Sequence, residues 1–304
     1  MRTSTITLAL LSLAVAGTTA SAQTTAGRND SIYTWRGALK SGALLTVRNV
    51  NGPIEVRPSN GTTAELRAEK RTRGSDGDIR DVEFEIQTSS SGDVTICSTF
   101  RGQNPCDDGR RDGNDNDNGR RWVSVAMTIL VPRGAQLKVV TGNGAVSVER
   151  VGADVQATTG NGRVRIVGTD GGVRATTGNG EVEVRDVRSA VRVTTGNGDV
   201  TVSTAEGPVQ ARTGNGDIDV RMSAMKASEN MSFSTGHGNV RLTIPASYNG
   251  ELDASTGNGE VSSDFDLKLN GRVNPRHIRA TIGSGGATLR LSTGNGRLEL
   301  RKAN

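Results

Sequence analysis

Three carboxylates stand at one position of a repeat. Glu181, Asp199 and Asp217 each follow Gly-Asn-Gly, and they recur every 18 residues. If successive repeats stack as strands, these side chains lie about 4.8 Å apart. Carboxylates that close repel unless a cation or a base intervenes. The chemistry open to such a column is divalent-cation binding, or acid-base attack on an acidic polysaccharide if arginines complete a groove. Arg163 holds the same position one repeat earlier and Asn239 one repeat later, with Arg185 and Arg221 nearby as countercharge. A solvated, self-neutralised face is the simpler expectation.

Other reactive residues are sparse. Gly283-Ser284-Gly285 lacks the Gly-x-Ser-x-Gly spacing of a nucleophile elbow, and neither a His-Glu-x-x-His pair nor a phosphate loop occurs. His237 replaces an asparagine of the repeat. His277 sits between Arg276 and Arg279 with no partner visible in the sequence. Residues 101–121 are rich in Asp and Asn, but Asn114, Asn116, Asn118 and Gly119 make a poor calcium loop, because carboxylates are missing and Val125 stands where a bidentate Glu is required. Cys97 and Cys106, the two cysteines of the chain, are expected to form a structural disulfide; they lack the Cys-x-x-Cys spacing of a redox or metal pair. No catalytic residue, cofactor or resident metal is expected.

The elements that would position these groups are repetitive. Thr-Gly-Asn-Gly begins at Thr141, Thr159, Thr177, Thr195 and Thr213, and recurs at Thr235 (with His237), Thr256 and Thr293. A fixed short period marks a solenoid, whose units bury their apolar faces only by stacking. In the unit Thr159–Thr176, Gly-Asn-Gly turns a tight corner, Val164 and Ile166 face inward, and Arg163 and Arg165 face outward. Gly171-Gly172 turns a second corner, and Val173 to Thr176 return. The expected fold is all-β: a parallel β-solenoid of about 18-residue, two-strand coils over residues 136–304. Parallel, in-register stacking places Asn143, Asn161, Asn179, Asn197 and Asn215 in a structural amide ladder. The interval from Thr256 to Thr293 reads as two coils, one of which has lost its first corner near Asn274-Pro275, with Gly283 to Gly286 at the second corner.

The remainder bounds the setting. Arg2, the apolar run Ile6–Gly17 and Ala20-Ser21-Ala22 read as a cleaved export signal over residues 1–22. Residues 23–30 read as a polar, mobile lead-in, and 31–135 as a less regular β region, where Asn51-Gly52-Pro53-Ile54 is a looser copy of the repeat. With 40 glycines and 3% aromatics, the core must be thin. Formal charge is +5, or +4 once Arg2 is removed with the signal. From Thr141 on, the aromatics are Phe233, Tyr248 and Phe265, too few to stack on bases, so no nucleic-acid partner is expected. No second apolar run follows the signal, so no transmembrane segment is expected.

The repeats, the cysteine pair before a polar loop, and the Gly-Ser-Gly-Gly then Thr-Gly-Asn-Gly ending resemble the bacterial putative-adhesin family of exported β-strand-repeat proteins, over roughly residues 31–301. That resemblance implies a β-helix-like fold and an envelope location, and it carries over no catalytic residues. The leading functional expectation is a non-catalytic binding or structural protein of the periplasm or cell surface, its ligand a protein or a glycan. An envelope sensing partner and an enzyme on acidic polysaccharide are the alternatives. The later coils carry insertions at 222–230, 245–250 and 264–279. These are expected to project from one edge and to offer Met222, Met225, Lys226, Tyr248 and Phe265 as a binding edge.

Overall fold

The computed structural model describes residues 23–25, 30–72, 77–101, 106, 123–222, 224, 229–270 and 274–303. Among these there is no α-helix, and the strands form two sheets of 13 strands each. Ten consecutive strands in each sheet are parallel. One coil shows the construction. Val173–Asn179 lies in the second sheet, Gly180 and Glu181 turn the first corner, and Val182–Val187 lies in the first sheet. Residues 188–190 then turn back to Val191–Asn197, which pairs in register with Val173–Asn179.

Period-2 alternation explains the core. Val173, Ala175, Val182 and Val184 point inward at 0–3% exposure, and their counterparts repeat the pattern coil after coil into one continuous apolar column. Small β-branched side chains suit this interior because the sheets close on themselves every 18 residues and leave little width to fill. The all-β parallel solenoid is therefore the observed architecture.

The first corner depends on each residue of Thr-Gly-Asn-Gly. The threonine is buried, and its hydroxyl donates to a glycine carbonyl of the neighbouring coil, as from Thr177 to Gly162 at 3.0 Å and from Thr195 to Gly180 at 3.0 Å. The second glycine has φ between 142° and 155° from Gly144 to Gly216, and a Cβ on Gly162 would overlap the carbonyl of Gly144. The second corner is looser. At or just before the end of the strand that leads into it, Arg150, Gly168 and Asp186 take left-handed φ of 51°, 73° and 55°, so a side chain is tolerated there.

The ends depart from chain order. Leu44–Asn51 and Ile54–Pro58 form a coil that stacks directly on Gln136–Asn143 and Val146–Glu149. Both sheets thus pass without a break from the irregular N-terminal region into the repeats. The coil made by Val94–Phe100 and Val123–Val131 comes later in the chain yet packs outside Leu44–Pro58. The C-terminal end does the same: Thr288–Asn295 and Leu298–Ala303 slot between the coils Met231–Pro245 and Gly250–Ser263. Corner hydrogen bonds follow the stack, with Thr293 donating to Gly238 at 2.8 Å and Thr256 to Gly296 at 3.0 Å.

This corrects the expectation for Thr256 to Thr293. Near Asn274-Pro275 the chain does not turn a degraded corner into the other sheet. It doubles back, so that His277–Ile282 runs antiparallel to both Gly250–Asn258 and Leu267–Leu269 in the second sheet. Gly283 to Gly286 lies at the second-corner end, as expected, but it joins two strands of one sheet.

Antiparallel strands and large side chains close both ends. At the N-terminal end Ile32–Ala38 and Thr63–Thr72 extend the first sheet, and Val82–Thr88 extends the second. Gln23–Thr25, expected as part of a lead-in, forms a short strand on Ile32–Ala38. Trp35 is buried, and Tyr33 stacks on Phe84 with ring centroids 4.1 Å apart. At the other end Phe265 is buried beneath Lys302, whose Nζ lies 5.3 Å from the ring centroid. Cys97 and Cys106 are joined, with their Cα atoms 5.7 Å apart, which ties the strand Val94–Phe100 to a point nine residues further along the chain.

Candidate functional site

The asparagine ladder forms. Nδ2 of Asn161, Asn179, Asn197 and Asn215 each donates to Oδ1 of the asparagine one coil back, at 2.7–2.8 Å. It reappears at the far end, where Asn258 donates to Asn295 and Asn295 donates to Nδ1 of His237, at 2.7 and 2.8 Å. His237 therefore serves as a ladder acceptor. Amides that bond one another are committed to holding the corner.

The acidic column is also committed. Glu181 pairs with Arg163 at 2.7 Å. Asp199 accepts the backbone N–H of Asp217 at 2.8 Å, and Asp217 accepts that of Asn239 at 2.7 Å. Asn239 in turn accepts from the N–H of Arg297 at 2.9 Å. Each carboxylate is engaged by an adjacent coil, Glu181 by the one before it and Asp199 and Asp217 by the one after, and no group of three potential metal ligands comes together among the described residues. Arg185 and Arg221, expected as countercharge to this column, pair instead with Glu183 and Asp219.

The two outer faces differ in charge. On the first sheet, Arg165 meets Glu183 at 2.7 Å, and Arg185 approaches the same carboxylate at 2.5 Å without hydrogen-bond alignment. Further along, Arg241 bridges Asp219 and Glu299, and Arg301 closes on Glu299 at 2.6 Å. The Arg241 guanidinium, hydrogen-bonded to Glu299, holds that carboxyl below the usual glutamate range, and Arg301 adds to the effect. Glu183 is 6% exposed, a buried carboxylate held by two arginines.

The outer face of the second sheet has no such lattice in its middle. Strand register puts Lys138, Gln156, Arg174, Arg192 and Gln210 in one column. Thr158, Thr176, Thr194 and Arg212 form the column beside it. Arg174, Arg192 and Arg212 are exposed, and among the described residues none has an ion pair. Arg174 and Arg192 are direct lateral partners, an arrangement that opposes folding. The first column floors a shallow groove of about 540 Å³, with Asp154 and Glu229 at its second-corner rim. Asp154 is engaged by the N–H of Gly172 at 2.7 Å.

Residues 44–301 match the family described as Toastrack DUF4097. The chain belongs to that family. The resemblance read from the Thr-Gly-Asn-Gly repeats is thereby borne out. Among solved structures, a putative adhesin from Bacteroides fragilis is 10% identical, with a TM-score of 0.38 over 90% of this chain and 97% of that one. A putative cell adhesion protein from Clostridium sporogenes is 9% identical, at 0.28 over 89% and 99%. A putative adhesin from Parabacteroides merdae is 11% identical, at 0.29 over 90% and 97%. No curated protein matches the chain.

In this Toastrack chain two residues of the expected binding edge are not at the surface. Met222 is 2% exposed and Phe265 7%, so both belong to the core. Tyr248 is half-buried, and its hydroxyl donates to the carbonyl of Ala287 at 3.2 Å. Met225 and Lys226 lie outside the described residues, as do Asn114, Asn116 and Asn118 of the polar loop. Of the three insertions, the described ends of the first, Met222 and Glu229, and the whole of 245–250 lie at the second corner. The described parts of the third, 264–270 and 274–279, fold over the end of the stack, because an open solenoid end exposes apolar core that something must cover. His277, which had no partner in the sequence, meets Asp253 through Nε2 at 3.0 Å, with Arg290 also on that carboxylate at 3.5 Å.

Sequence reading passed over the column Lys138, Arg174, Arg192. Its signal was present: in the return strand the outward position carries a base, and the same position in neighbouring repeats carries no acid. Attention to carboxylates hid it. Among the described residues no helix is long and apolar enough to cross a membrane.

Proposed function

We propose that this protein is a non-catalytic binding scaffold of the cell envelope, exported by the leader 1–22, and that the outer face of its second sheet is the binding surface. The observation that carries the reading is the lateral pair Arg174 and Arg192, exposed and without an ion-pair partner among the described residues. By contrast, the asparagine ladder, the corner threonines, the acidic column and the arginines Arg163, Arg165 and Arg241 are all taken up by a neighbouring coil. A pair that costs stability and satisfies nothing within the fold is what a surface for an external anion requires. The first strand begins at Gln23, directly after the expected cleavage site, and a disulfide suits an oxidising compartment.

Two double variants with the same change in net charge test the assignment. Arg174→Gln with Arg192→Gln removes two charges from the second face; Ser147→Glu with Ser203→Glu adds two negative charges to the first. Binding of purified protein to isolated envelope fragments of the producing cell should fall for the former and hold for the latter. Equal losses would reject the face assignment and leave only a general effect of charge.

A further inference from the structure

From the layout of the second face, and resting on the reading above, we infer that the ligand is a linear acidic glycan. It lies along the stack axis, across the strands, with successive monomers registered on successive coils.

Three observations support this. The first is pitch. The column from Lys138 to Gln210 crosses five coils in strict register, so its groups recur about every 4.8 Å. A glycosidic chain of pyranoses advances by a similar step per residue. A polymer laid along the axis therefore meets an outward polar side chain at every monomer, and contacts add along its length.

The second is the kind of group presented. Lys138, Arg174 and Arg192 supply cations, and arginine in particular grips a carboxylate or sulfate with two N–H groups. Between and beyond them come Gln156 and Gln210, whose amides both donate and accept. Beside them stand Thr158, Thr176 and Thr194, with hydroxyls that do the same. A bare polyanion such as polyphosphate has no use for acceptors. A polymer with an acid group and several hydroxyls per monomer uses both columns.

The third is what the face lacks. The exposed large apolar side chains among the described residues are Ile32 and Leu269, both on cap strands and away from the columns. Insertion into a lipid surface needs apolar side chains at the contact. Phe233 belongs to the core, so this stretch offers no ring on which unpaired bases could stack. The face is flat, cationic and hydroxyl-rich.

The experiment uses the mature protein and oligo-α-(1→4)-galacturonates of increasing length, followed by calorimetry. Neutral malto-oligosaccharides, inorganic polyphosphate, single-stranded DNA and anionic phosphatidylglycerol vesicles are run beside them. The expected result is affinity that climbs with uronate length through about five units and then levels off, weakens as salt rises, and is absent for the neutral series. Arg174→Gln with Arg192→Gln should weaken uronate binding about tenfold or more. Thr176→Val with Thr194→Val should weaken uronate binding and leave polyphosphate binding unchanged. Length-independent binding, or polyphosphate, DNA or vesicles bound as well as uronate of equal charge, would overturn the inference. If no uronate binds while envelope fragments still bind through Arg174 and Arg192, the glycan class fails and the face assignment stands. If the fragments bind through neither residue, the face assignment itself fails.

Discussion

The two broad faces of the solenoid obey one register rule and end in opposite states. On the first face, parallel stacking brings unlike charges together: Arg165 on Glu183, Arg241 on Glu299. On the second, the same stacking brings Arg174 beside Arg192, with glutamine and threonine around them. A repeat fold multiplies whatever a position carries. Alternating signs make a closed network of modest worth, and like signs make a field that the fold leaves uncompensated. The charge pattern down a column, more than the charge of any residue, separates a supporting face from a presenting one.

The comparison presumes that both faces rest on one core. Val182→Asp beneath the first sheet and Val193→Asp beneath the second each place a charge where exposure is 0–1%, with no partner, at a cost of several kcal/mol. Both should abolish cooperative thermal unfolding to a similar degree. If only one did, the sheets would not share a single supporting column.

The next effect in size lies on the first face. Glu183→Gln leaves Arg165 and Arg185 around a buried neutral amide, and should lower stability by about 1–3 kcal/mol in urea denaturation. Arg192→Gln on the second face should change it by less than about 0.5 kcal/mol, and in the favourable direction, since it relieves like-charge contact. Equal losses of stability in the two variants would erase the distinction between the faces.

Acid separates them further. Glu299 has a folded-state pKa depressed from 4.5, first through its hydrogen bond from Arg241. A depressed carboxylate contributes stability that is present above its unfolded value and is lost as pH falls through its folded value. The native protein should therefore lose stability below about pH 4.5 more steeply than Glu299→Gln does, measured by urea midpoints across that range. A parallel loss in both would remove Glu299 from the account. The smallest effect is screening. Added salt shortens the range of repulsion to below about 10 Å, so the gain in melting temperature from low to high salt should be greater in the native protein than in Arg192→Gln.

Much of this was legible in the sequence. The 18-residue recurrence of Thr-Gly-Asn-Gly together with Val-x-Val defined coil length, inward residues, the first corner and the asparagine ladder, because parallel in-register stacking follows from repetition alone. Local rules of that kind need no knowledge of distant contacts. The hydroxyl bond from each threonine to the neighbouring coil was less legible, since it depends on the corner's depth and not on its composition.

Three matters were decided only by tertiary structure. The last coil sits between the two before it, because stacking rewards any coil of matching register and chain order is not encoded in a column. Met222 and Phe265 went inside, although their insertions look like surface loops, because a solenoid's irregular bends and open ends leave apolar core that the nearest large side chain must cover. The basic column became a feature only when Lys138, Arg174 and Arg192 were brought to one line. Separated by 36 and 18 residues in sequence they are isolated charges, and within a few strand spacings of one another they are a single field.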